Sequence, residues 1–163
     1  MMSCSNWSFR KEVEELFLDA GWFPERHVSQ DGLIALCEED GCVLSEPAKA
    51  ILESFGGLTI ESHITNMSRP AVRYIKICPS GHPGGDAWVE YVKICIGSNF
   101  FCIGDCGEVF LIYDEFDRVF ITFEFEDIWL VGIGFEDAME TLLIDKSRQK
   151  TWDTSAGDRI KDD

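Results

Sequence analysis

The side chains able to do chemistry are three histidines, seven cysteines and a large excess of carboxylates. His27, His63 and His82 lie in separate segments, without the G-x-S-x-G or H-E-x-x-H frames that would pair them with a nucleophile or a metal. Isolated histidines are the plainer reading. Cys102 and Cys106 stand four apart, as do Cys78 and His82, but neither pair has the C-x-x-C spacing or the second pair of a structural zinc site. The segment Gly81–Gly85 lacks the Lys-Ser/Thr of a phosphate loop and the G-x-G-x-x-G of a dinucleotide fold. An enzyme acting on a small molecule is therefore the remotest function class, and no metal or cofactor is expected.

The carboxylates are more informative. Between Asp105 and Asp127 the chain carries Asp105, Glu108, Asp114, Glu115, Asp117, Glu124, Glu126 and Asp127 against Arg118 alone. Acid–base catalysis needs an apolar pocket that sets one carboxyl apart from its neighbour, and an expected solvated turn offers none. A single-sign patch on a rigid hairpin instead suits the steering of a basic protein into contact. Asp114, Glu115, Asp117, Glu124, Glu126 and Asp127 are accordingly the expected partner-binding residues. The net charge of -16 and pI near 4.4 disfavour direct binding of nucleic acid, whose phosphates need clustered Lys and Arg.

The elements that must hold these residues are legible from periodicity. Val109–Tyr113 and Val119–Phe123 are rich in β-branched and aromatic residues and predict a hairpin whose turn is Asp114–Asp117. A short strand at Ile128–Val131 follows, and Phe135, Ala138, Met139, Leu142 and Leu143 then repeat at helical spacing. Upstream, three helices are expected. The first is capped by Ser8 and stopped by Gly21, with Trp22 and Phe23 entering the core. The second can be capped by Ser29 and is ended by Gly41, with Leu33, Ile34, Leu36 and Cys37 as its apolar face. The third is capped by Ser45 and ended by Gly56-Gly57. Leu58–Ile64 and Val72–Cys78 read as strands, and Trp88–Ile96 fits a helix capped by Asp86 slightly better than a strand.

No apolar run approaches the ~20 residues of a bilayer span, and the first residues lack a secretory pattern, so a cytosolic protein with reduced thiols is expected. The whole predicts one α+β domain over residues 1–144, with a mixed or mainly antiparallel sheet and helices packed around it. Residues 145–163, with only Trp152 and Ile160 to bury, predict a flexible polar tail.

Several landmarks together resemble the SUKH superfamily, and within it the third subfamily of bacterial immunity proteins. They are Gly21-Trp22 with Pro24 and Arg26, Phe55-Gly56-Gly57-Leu58, Ile103-Gly104, Leu111-Ile112-Tyr113-Asp114 with Arg118-Val119-Phe120, and Trp129-Leu130, Gly132, Phe135, Ala138 and Leu142-Leu143. The resemblance spans about Phe9 to Ile144. Asp117 stands where the family commonly has glycine, Cys102 where it has proline, and Gly134 in place of a capping Thr. The resemblance implies a non-enzymatic protein that binds and neutralises a protein toxin, often a nuclease; an adaptor domain of the same superfamily is the alternative.

Overall fold

A computed structural model describes residues 7–62, 64, 72–79, 85–107, 109–123 and 127–155. In chain order the elements are α1 (Lys11–Asp19), α2 (Asp31–Glu39), α3 (Glu46–Phe55), β1 (Thr59–Glu61), β2 (Tyr74–Ile77), α4 (Gly85–Ile96), β3 (Phe100–Asp105), β4 (Phe110–Asp114), β5 (Arg118–Thr122), β6 (Ile128–Ile133) and α5 (Phe135–Leu143). A 3-10 turn (Lys146–Arg148) and β7 (Lys150–Trp152) follow. The strands form one sheet in sequence order, and every neighbouring pair is antiparallel. The expected α+β domain is what folds.

Strands β3, β4 and β5 are buried along nearly their whole length rather than at alternate residues, so both faces of the sheet centre are covered. Helix α4 covers one face, where Trp88 packs 5.6 Å from Phe100 and 5.3 Å from Phe110, centroid to centroid. Helices α1, α3 and α5 share an aromatic cluster in which Phe9–Phe17 and Phe17–Phe55 lie 4.8 Å apart and Phe55–Phe135 5.0 Å apart. Trp22, Phe55, Leu111, Ile121 and Leu142 all join one core, as a domain built around the hairpin requires.

Two glycines let the layers close. A Cβ on Gly132 of β6 would lie 2.5 Å from the Ala138 amide nitrogen, so α5 crosses the sheet where no side chain intervenes. A Cβ on Gly104 would sit 2.1 Å from the Lys76 carbonyl oxygen, at the irregular register between β3 and β4. Ser45 caps α3 as expected, accepting from the Ala48 amide at 3.3 Å. At the other end of α3 the Arg26 guanidinium donates to the carbonyls of Ser54 (2.9 Å) and Gly56 (2.8 Å), which the helix cannot satisfy itself.

Some expectations are corrected. Ser8 does not cap α1, which starts at Lys11; the Ser8 amide instead donates to Glu136 of α5 at 3.3 Å. Phe23, in the loop after α1, is exposed rather than in the core. Leu33 and Leu36 are exposed too, because α2, whose N-cap is Gln30 rather than Ser29, buries only Ile34 and Cys37. Asp86 lies inside the first turn of α4 rather than capping it, while Trp88–Ile96 is helix as expected. The strand expected over Leu58–Ile64 is confined to β1, and His63 lies outside the described residues.

The expected flexible tail contains β7, which pairs Trp152 with Ile128 and Lys150 with Leu130. The Trp152 indole donates to the Cys95 carbonyl at 2.9 Å and packs on Phe120. One tryptophan suffices to anchor a three-residue edge strand. Ile160 lies outside the described residues.

Candidate partner-binding surface

The turn joining β4 to β5 is built on Asp114, which ends β4 and is 1% exposed. Its Oδ1 accepts from the amides of Phe116 (3.0 Å) and Arg118 (2.7 Å), and its Oδ2 from Arg118 Nε (2.7 Å) and Ser98 Oγ (2.8 Å). Arg118 Nη2 donates onward to the Ile96 carbonyl at 3.0 Å and to Ser98 at 3.2 Å. Its guanidinium carbon lies 5.4, 5.3 and 5.2 Å from the ring centroids of Phe116, Phe120 and Trp152. Asp114 is thus corrected from a solvated turn carboxylate to the buried counter-ion of Arg118. An aspartate at the first position of a turn naturally reaches the amides ahead of it, and here the sheet end closes over the result.

Asp117 adopts φ 62°, the left-handed conformation that explains why glycine suits this position and why aspartate is tolerated. Its carboxylate accepts from the Tyr113 hydroxyl at 2.8 Å, and burial together with Asp117 pushes that phenol above its ordinary range. Its carbonyl accepts from the Gly134 amide at 2.6 Å, tying the turn to the start of α5. Glu115 accepts from the Asn99 amide at 3.0 Å and stays exposed. Between these two carboxylates Phe116 stands 60% exposed on a turn with every flanking residue held. Ile133, opposite Arg118 in the sheet, is 59% exposed at the same end.

Asp105 and Asp127 lie elsewhere. Strand β5 runs for 5 residues between the turn and Phe123, so Asp127 lies about 17 Å away at ~3.3 Å per residue. Asp105, paired with Phe110, belongs to that far end too. Glu108, Glu124 and Glu126 lie outside the described residues. A run of acids continuous in sequence is divided between two ends because the hairpin folds it back on itself. Phe116 escaped the sequence reading, although an aromatic residue in the middle of a polar turn was a usable signal.

Two surface hollows bear on catalysis. One, of about 470 Å³ between the end of α2 and α4, is lined by Glu39, Asp40, Asp86, Glu90 and Lys93, and Lys93 Nζ donates to the Gly41 carbonyl at 2.6 Å. The other, of about 340 Å³, lies between β6, α5 and Arg148, whose guanidinium pairs with Asp137 and Glu140. Neither is lined by a cysteine, histidine or serine. Of the histidines, His27 is exposed and 3.8 Å from Glu53, while His63 and His82 lie outside the described residues. No group of three or more His, Cys, Asp or Glu among the described residues is placed to hold a metal ion.

Neither a curated protein nor a solved structure matches the chain significantly. A family model described as SUKH-3 immunity protein matches residues 9–145. That stretch runs from the aromatic cluster of α1 to the end of α5, and several of its landmark residues do structural work. Arg26 closes α3, Gly104 and Gly132 admit neighbouring backbone, and Asp114 with Arg118 locks the hairpin. The chain belongs to the SUKH-3 immunity protein family.

Proposed function

We propose that the protein neutralises a protein toxin by binding it directly, with no chemistry of its own. Family membership supports the activity, and the observation that carries the site is Phe116, exposed between Glu115 and Asp117 on a turn that Asp114 and Arg118 hold rigid. An aromatic anchor on a preorganised turn loses little entropy on docking, and the flanking carboxylates select a basic surface. Asp127 adds to the acidic field at the far end of the hairpin and contributes to steering rather than to the anchor. On this reading the protein works in the cytosol, where its described cysteines keep their thiols; burial raises Cys37 to about 12 and Cys42 to about 11, leaving both protonated and unreactive.

The test is binding of the intact protein to any toxin encoded by a neighbouring gene, measured over a range of salt. Association should slow as salt rises, since exposed charges are screened beyond ~8 Å at physiological ionic strength. Phe116→Ala should weaken binding by about 2 kcal/mol or more, the cost of a hot-spot truncation. Glu115→Gln with Asp117→Asn should mainly lower the association rate, asparagine being chosen because it too tolerates the left-handed backbone. Tight binding that ignores all three substitutions would move the interface elsewhere. Absence of binding by the wild type would favour an adaptor role.

A further inference from the structure

Among the α-helices of the described residues, α2 buries the fewest side chains. Only Ile34 and Cys37 are buried, while Leu33 is 40% and Leu36 57% exposed. Leu36 and Glu39–Asp40 stand three and four positions apart, and Leu33 lies one turn before Leu36, so the leucines and the acids share one helix face. That face leads to the hollow of about 470 Å³ where Glu39 and Asp40 meet Asp86 and Glu90 of α4.

Its charge is one-sided. No lysine or arginine occurs between Arg26 and Lys49, and Asp31, Glu38, Glu39, Asp40 and Glu46 all fall in that interval. Glu38, Glu39 and Asp40 moreover occupy the C-terminal end of α2, where the helix dipole disfavours negative charge and no basic residue stands in the last turn. Lys93, the cation at the hollow, is engaged with the Gly41 carbonyl at 2.6 Å.

We propose that the Leu33–Leu36 face of α2 and the acidic hollow beside it form a second docking surface, separate from the hairpin, for a basic amphipathic segment of a protein partner. Apolar residues of the segment cover the leucines, and a lysine or arginine enters between Glu39 and Glu90. Charge complementarity selects this occupant over a second copy of the chain, because a molecule of net charge -16 would set acidic face against acidic face.

The test uses the intact protein with a synthetic amphipathic Leu/Lys helix as probe and oligolysine of equal charge as control, followed by amide chemical shifts. The Leu/Lys helix should perturb Leu33, Leu36, Glu39 and Val89. Leu33→Ser with Leu36→Ser should weaken its binding at least about tenfold while leaving other amides in place, since both side chains are exposed. Glu39→Gln with Glu90→Gln should weaken it and flatten its salt dependence. The proposal is overturned by equal binding of oligolysine, by shifts centred on the hairpin, by undiminished binding of the leucine variant, or by a dimer of the chain that buries α2. No toxin enters this experiment, so its outcome is separate from that of the neutralisation reading.

Discussion

Asp114 shows how a residue's type can mislead about its place. The three carboxylates within Asp114–Asp117 read as a uniform wet tip, yet the first is sealed against Ser98 and Arg118 and only the residues after it face solvent. Burial of a carboxylate depends on a cation four residues on and a serine from the preceding loop. Neither periodicity nor composition reports such a partner. Removing the charge leaves Arg118 facing a neutral group beneath three rings, so Asp114→Asn should destabilise the fold by about 3 kcal/mol, the scale for breaking one side of a buried pair. Denaturant unfolding checks this. A variant as stable as the wild type would show that the pair is not what holds the turn. Phe116 is the complementary case: an apolar residue in a turn, it is 60% exposed between two carboxylates.

Elements with strong local signals were legible and those defined by distant pairing were not. The hairpin, α3 and α5 announce themselves through β-branched runs, a serine cap and a regular apolar stripe, and each stands where expected. Strand β7 has three residues, none fully buried, and exists because β6 offers an edge and Cys95 a carbonyl for Trp152. Helix α2 errs in the other direction, since its four apolar residues promised a buried face and two of them, Leu33 and Leu36, are exposed. The packing of α5 on β6 gives the sharpest prediction at this scale. Gly132→Ala places a methyl group within 2.7 Å of the Ala138 backbone, which cannot rotate away, so α5 must lift. The cost should be about 1–3 kcal/mol, as for overpacked cores. Thermal unfolding checks it, and an unshifted midpoint would contradict the close crossing.

For the whole molecule, the excess of negative charge is distributed rather than gathered in the one patch that the sequence implied. The hairpin divides its acids between two ends of the sheet, and a further set gathers where α2 meets α4. On the proposed reading such a surface steers a basic partner inward, and the turn with Phe116 is the contact that charge alone would not supply. The most direct measurement is growth of cells producing a candidate toxin encoded by a neighbouring gene, with the protein supplied in trans. The wild type should restore growth, and a Phe116→Ala, Glu115→Gln variant of equal abundance and stability should restore little of it. A wild-type protein that accumulates folded and yet leaves the cells unprotected would contradict neutralisation by direct binding.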